Sequence, residues 1–278
     1  MKASRCLSSL GRFVALAAFL IFALFPLVWI IITSLKDPKE VFTFPLKYIP
    51  NKITFSSYQR LFRFNNFGLY FKNSLIVTLL GSLGSLFMAL FSGYALSRYK
   101  KHALKANVLL VLYFSQMIPS FLLMTPLYIM VAGLGGLDKL WVLAVVYVAT
   151  TLAFNTIMSK SFFDRIPVSI EEAAMVDGCT TSQSLFRIVI PMMAPGLAAI
   201  FSFSFVNIWN ELFLAVMFLS DPAKTTVPVA LNSFISKAGI SWDTLSAGLV
   251  VALLPTMLVF AFGQKYIVAG LTEGGVKG

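Results

Sequence analysis

Ser169-Ile170-Glu171-Glu172-Ala173-Ala174-Met175-Val176-Asp177-Gly178, followed nine residues later by Ile188-Val189-Ile190-Pro191, is a polar helix-turn-helix pattern set in a very apolar chain. Ser169 is placed to cap a helix beginning at Ile170, and Glu172 three residues on completes a capping box. Gly178 ends that helix, because glycine takes the left-handed conformation that turns the chain at no steric cost. Thr180, Thr181 or Ser182 can then cap a second short helix running to Pro191. Two readings stand open for such a segment: a compact knob gripped by a partner protein, or an interfacial amphipathic connector.

The surroundings are membrane. Of the 278 residues 58% are hydrophobic and 12% charged, and the mean hydropathy is +0.85. A chain with so little polar surface is not a soluble domain. The net charge of +11 would suggest nucleic acid in a soluble protein. Here the basic residues lie between apolar spans, where topology explains them and nucleic acid is excluded as a partner. The two cysteines, Cys6 and Cys179, offer neither a disulfide framework nor a CxxC metal site. Lys2, Arg5 and Arg12 precede an apolar run from Phe13 to Ile32 that resembles a signal sequence. It is long enough to span the bilayer and reads as an uncleaved first helix.

Six stretches reach spanning length: 13–33, 71–97, 107–131, 140–160, 196–219 and 246–268. An even number puts both termini on one side. The basic cluster Arg98, Lys100, Lys101, His102 and Lys105 then places them in the cytoplasm by the positive-inside rule. The stretch 36–70 is expected to be an external lobe, with Pro38, Pro45 and Pro50 and the packing aromatics Phe55, Tyr58, Phe62, Phe64 and Phe67. The second span carries Gly81, Ser85, Ala89 and Gly93 on one helical face, which lets another helix approach closely. Ser82, Ser92, Thr150, Thr151 and Thr156 read as packing or backbone-bonded groups. Pro119, Pro126 and Pro255 should kink or interrupt their spans, as fixed bends or as moving ones.

Glu172-Ala173-Ala174, three residues, Gly178, nine residues, then Ile188-x-Ile190-Pro191 resembles the "EAA" loop of the permease subunits of ABC importers, with Ile190 in place of leucine. Much more of the chain is similar to the carbohydrate branch of that family, to the smaller permease of maltose-type transporters. Phe162-Phe163-x-x-Ile166-Pro167, Asn73 to Thr78, Gly93 to Arg98, Met117-Ile118-Pro119, Pro126-Leu127-Tyr128, Trp209-Asn210-Glu211 and the end from Val268 to Gly278 carry the likeness. Cys179 departs from it, standing where alanine usually follows the glycine.

The resemblance implies an all-α membrane protein: one permease domain over 1–278, with six transmembrane helices, a cytoplasmic coupling loop at 161–194 and a cytoplasmic tail at 269–278. It implies that the first helix of the loop docks on a separate ATPase, with Glu172, Ala173, Ala174, Asp177, Gly178, Ile188 and Pro191 as coupling residues. Thr272, Gly274, Gly275 and Lys277 would reach the ATPase interface, with a frayed terminus as the lesser alternative from composition. The chain has no GxxxxGK[ST] sequence, GxSxG elbow or HExxH helix. It is therefore expected to have no catalytic or metal site and no cofactor of its own, with ATP and Mg on the partner ATPase. Expected partners are a companion permease subunit, an ATPase dimer, an external substrate-binding protein and membrane lipid.

Asn207, Asn210 and Glu211 fall at i, i+3 and i+4 in the fifth span, beside Trp209 and Phe213. A carboxylate within a membrane is costly and should face a partner or a wet cavity. This group is either a sugar-translocation path or gate, or interhelical glue. The leading function is thus a permease of an ATP-driven sugar importer working by alternating access. An ion-coupled secondary transporter would need more intramembrane ionisable groups, and a non-transporting scaffold would use the knob only for binding.

Overall fold

In lipid every backbone polar group must find its partner within the chain, so the apolar stretches are helical. The computed structural model describes residues 2–64, 66–99, 102–236 and 239–272. The helices are α1 Lys2–Ser34, α2 Pro38–Val41, α3 Ser56–Phe64, α4 Phe67–Arg98, α5 His102–Met117, α6 Ser120–Gly133, α7 Leu140–Phe163, α8 Val168–Val176 and α9 Thr181–Ser184. A π turn over Leu185–Val189 leads into α10 Ile190–Met192, followed by α11 Ala194–Trp209, α12 Phe213–Phe218, α13 Val227–Ser233 and α14 Trp242–Thr272. Ile235–Ser236 (β1) and Gly239–Ile240 (β2) form a small antiparallel pair, with Ile235 opposite Ile240.

Among the described residues four helices are long and apolar enough to cross a membrane: Gly11–Ser34, Phe67–Arg98, Leu140–Phe163 and Trp242–Lys265. Two bent pairs bring the crossings to six if each pair counts as one: Ala103–Met117 with Ser120–Gly133, bent by 96°, and Thr181–Met192 with Ala194–Trp209, bent by 72°. The third stretch is therefore not a continuous rod. Pro119 stands just before α6 and starts it, while Pro126 lies within it. The fifth stretch is broken as well, at 210–212.

The chain divides into two units, 1–68 with 230–254, and 69–229 with 255–278. In the first, Leu61 and Phe67 are fully buried. A Cβ on Gly248 would stand 2.5 Å from Leu231 Cδ2 and 3.5 Å from Leu61 Cδ1, so glycine permits this close approach. Arg60 pairs with Asp243, which also accepts from Ser57 at 3.2 Å. The Ser34 and Tyr58 hydroxyls are 2.9 Å apart. Lys36 is buried, its Nζ donating to the Lys47 carbonyl at 2.6 Å and lying 4.5 Å from the centre of the Trp29 ring. Burial lowers its pKa. The aromatic packing expected for this lobe takes the form of ring pairs, Phe55 with Tyr58 at 6.1 Å and Phe62 edge-on to Phe67 at 6.0 Å, in which Phe67 is buried while Phe55 and Phe62 are exposed.

In the second unit the small-residue face of α4 lies against α7. A Cβ on Gly93 would sit 2.4 Å from Ser159 Oγ, and one on Gly81 3.3 Å from Tyr147 Cβ. Between these points Asn155 Nδ2 donates to Ser85 Oγ at 2.6 Å and to Ser204 Oγ at 2.7 Å, which ties α4, α7 and α11 together. The remaining hydroxyls are back-bonded or paired: Ser82 to Leu79, Thr150 and Thr151 to Tyr147, and Ser92 to Met88 and Thr156. The main apolar cluster gathers Val77, Leu143, Tyr147, Ile208, Leu214 and Phe218. At the start of α4, Asn73 donates to the carbonyls of Ala223 and Thr225, and Ser74 accepts from Val227 N–H.

Candidate functional site

The loop between α7 and α11 is built from its ends inward. Asp164 closes α7, and Pro167 stands at the N-cap of α8 with φ −59° and ψ 135°. Proline disfavours helical geometry in the residue before it and carries a preset φ, so α8 begins directly after it, at Val168. This corrects the expected start at Ile170: Ser169 lies within the first turn, exposed, and no side chain caps this helix.

The far end of α8 is a Schellman turn. Gly178 has φ +88°, its N–H donates to Met175 O at 3.1 Å, and Cys179 N–H donates to Ala174 O at 2.9 Å. Thr180 then caps α9 in a reciprocal box with Gln183. Pro191 has no N–H for the helical bond to the Arg187 carbonyl, and the π turn immediately precedes it. Leu185 and Val189 plug this hairpin onto Leu90, Phe163, Ile166 and Met193.

The adjacent glutamates point in opposite directions. Glu171 is 3% exposed, whereas Glu172 is exposed together with Ala173, Met175, Val176, Asp177 and Gly178. Ala174 is buried, Ile188 half-buried and Pro191 exposed. Glu171 Oε1 accepts from Arg98 Nε at 2.6 Å, and its Oε2 accepts from the Tyr94 hydroxyl at 2.6 Å. Nearby, Asp164 accepts from Ser97 at 2.6 Å and from Lys160. Burial pushes the Asp164 carboxyl up, but those two hydrogen bonds and the charges of Lys160 and Lys105 outweigh it and hold its pKa below the ordinary value. Sequence reading took Arg98 as a topological charge and, with Tyr94, as part of the family likeness, and missed their pairing with Glu171 and the exposed Met175 and Val176. Apolar side chains on the outer face of a polar loop were the available signal.

A second feature is a cleft of about 520 Å³ lined from α5, α6, α7, α11 and α12. Phe154 and Phe203 stack on its wall with centroids 4.4 Å apart, and Phe121, Gln116, Asn207 and Glu211 also line it. None of its lining residues is Lys or Arg. Of the four residues proposed from sequence, the structure brings Asn207 and Glu211 to this cleft and places the other two elsewhere. Trp209 is 2% exposed, packed on Phe71 at 5.5 Å and Phe205 at 5.9 Å. Asn210 ends α11, and its amide donates back to Val206 O at 2.8 Å. Asn207 likewise donates to Phe203 O at 2.8 Å. Glu211 accepts from the N–H groups of Leu214 and Ala215, so it caps α12 as well as facing the cleft.

Among the described residues no three His, Cys, Asp or Glu side chains cluster as a metal site. Thr272 is the last residue of α14, while Gly274, Gly275 and Lys277 lie outside the described residues.

Residues 81–273 match the family described as binding-protein-dependent transport system inner membrane component. The chain is 36% identical over 279 residues to the inner membrane ABC transporter permease protein YcjP of Escherichia coli (strain K12), covering 99% of this chain and 98% of that one. It is 34% identical to the sulfoquinovosyl glycerol transport system permease protein SmoH of Agrobacterium fabrum, covering 96% and 93%. Among solved structures it is similar to a bacterial ABC transporter involved in the import of the acidic polysaccharide alginate. There the TM-score is 0.81 at 25% identity, covering 95% of this chain and 98% of that one.

Proposed function

The chain belongs to the family of binding-protein-dependent transport system inner membrane components and is a multi-pass permease subunit of an ABC importer; from that premise we propose that its cargo is a neutral sugar or short oligosaccharide. The observation that carries this reading is the cleft. Sugars are held by stacking on aromatic faces and by hydrogen bonds from amides, hydroxyls and carboxylates. The cleft offers Phe121, Phe154 and Phe203 beside Gln116, Asn207 and Glu211, without a basic side chain to attract an acidic polymer.

In this reading α8 is the coupling helix. Its outer face, Glu172, Ala173, Met175 and Val176, docks on a cytoplasmic ATPase dimer, with Asp177 and Gly178 shaping the turn beside it and Ile188 and Pro191 the returning helix. Both termini are cytoplasmic, and the tail from Thr272 through Gly274, Gly275 and Lys277 approaches the ATPase interface. ATP and Mg are bound by the ATPase, and the chain itself performs no catalysis. A companion permease completes the pathway, and an external binding protein delivers the sugar to the lobe side. Closure of the ATPases pushes α8 as a rigid body, and the spans rock between inward-open and outward-open states.

The test is reconstitution of the complex in vesicles with a panel of radiolabelled di- and trisaccharides, sulfoquinovosyl glycerol and an alginate oligosaccharide. ATP-dependent uptake of a neutral sugar, insensitive to ion gradients, is expected. Uptake restricted to the acidic compounds would refute the neutral-sugar reading.

A further inference from the structure

We propose that Arg98 is a positioning residue for energy coupling: through Glu171 it clamps α8 to the last turn of α4, so that α8, α4 and the end of α7 move as one body. The inference rests on the reading of α8 as the ATPase-docking helix.

The guanidinium of Arg98 serves three separate segments. Nε donates to Glu171 on α8 at 2.6 Å, Nη1 to Phe163 O at the end of α7 at 3.2 Å, and Nη2 to Ile166 O in the linker at 3.1 Å. Nη1 also reaches Ser97 Oγ at 3.0 Å, and that hydroxyl donates to Asp164. The other oxygen of Glu171 is taken by Tyr94, one turn earlier on α4. Both carboxylate oxygens are therefore bonded to one helix by groups four residues apart.

A guanidinium presents its donors in a rigid planar fork, which fixes direction as well as distance. Beneath it, the Tyr94 ring meets Phe163 edge-on at 5.3 Å, and Gly93 allows α4 to press against Ser159. Opening the clamp would strand a carboxylate that is 3% exposed, so partial opening is disfavoured. A displacement of α8 is consequently delivered to α4 and α7 directly instead of being absorbed in the linker 164–167. The two neighbouring glutamates divide the work: Glu171 holds the helix to the membrane spans, and Glu172 faces the ATPase.

The experiment uses the complete complex, with its ATPase and companion permease, in nanodiscs. With Cys6 and Cys179 replaced by serine, nitroxides are attached through Ser169→Cys on α8 and Phe87→Cys on α4. The intact clamp keeps one label separation in the nucleotide-free and vanadate-trapped states. Arg98→Gln and Glu171→Ala are each expected to shift and broaden the trapped-state separation. Sugar imported per ATP should fall by about tenfold or more, in line with loss of a shared buried pair. Glu171→Gln, which keeps an acceptor for Arg98 and a partner for Tyr94, should retain the wild-type separation. The proposal is overturned by a wild-type separation that changes on trapping, or by an Arg98→Gln complex with wild-type separation and stoichiometry. If Arg98→Gln fails to assemble, the contrast between Glu171→Ala and Glu171→Gln decides. The label measurement needs no sugar, so a wrong cargo shows separately, as absent import with the separations as expected.

Discussion

The Tyr147 hydroxyl donates to Glu211 Oε2 at 2.6 Å, across the gap between α7 and the break that follows α11. The same carboxylate receives Leu214 N–H at 2.9 Å and Ala215 N–H at 3.2 Å. A membrane-embedded acid is thus placed where three donors need it.

Glu211→Ala should therefore cost stability as well as transport, because it strands donors at about 1–3 kcal/mol each where the site is buried. A lower melting temperature and lower complex yield are expected, with Glu211→Gln intermediate, because its amide oxygen still accepts on one side while its NH2 group cannot accept from the backbone N–H on the other. Tyr147→Phe should cost only about 1 kcal/mol. An unchanged melting temperature for Glu211→Ala would remove the capping role.

Gly93→Ala places a methyl 2.4 Å from Ser159 Oγ and 2.8 Å from Lys160 N, a backbone atom that cannot swing away. Overpacking of this kind costs about 1–3 kcal/mol. Gly133→Ala, with nothing within 4 Å of the added carbon, is the control and should melt like wild type. Thermal denaturation in detergent compares them.

Val176→Asp and Glu172→Lys alter exposed positions on α8 and should leave folding within about 0.5 kcal/mol of wild type. Co-purification of the ATPase should nevertheless be lost. Retention of the ATPase by both variants would place the docking surface elsewhere. Gly178→Ala, forced into φ +88°, should cost about 1–2 kcal/mol although its surroundings are open.

Asp138 Oδ1 accepts Asp221 N–H at 2.8 Å and Ser220 N–H at 2.6 Å, and these bonds hold its carboxyl below the ordinary pKa. A depressed carboxylate contributes above its unfolded pKa of about 3.9 and loses that contribution as pH falls through the lower folded value. Hydrogen exchange of the Ser220 and Asp221 amides should therefore be indifferent to carboxyl titration between neutrality and about pH 4, and accelerate only below it. Asp138→Lys should accelerate it at neutral pH.

Sequence made the apolar spans and the α4 contact face legible, because composition and four-residue spacing are local signals. Pro119 announced the break in the third stretch. The break after Trp209 carries neither proline nor glycine at 210–212, so it looked like continuous helix; Glu211 caps the restart through contacts formed only in three dimensions. Ser169 misled because a capping signature was weighed without Pro167, whose fixed φ starts α8 two residues earlier. The burial of Glu171 was hidden because Arg98 and Tyr94 lie 73 and 77 residues away. A glutamate beside the matching Glu172 carries no local sign of its direction.

The reach of Arg98 also bears on how the chain is made. Its acceptors at Phe163, Ile166 and Glu171 are 65, 68 and 73 residues downstream, so when α4 leaves the ribosome none of them has been synthesised. The guanidinium must wait, hydrated, until α7 has been threaded and the turn after it has emerged. Completion of α8 is then the event that draws this charge out of water and closes that end of the bundle. Chains truncated before Glu171 should leave the second span without its fastening, a natural point for quality-control proteases to act.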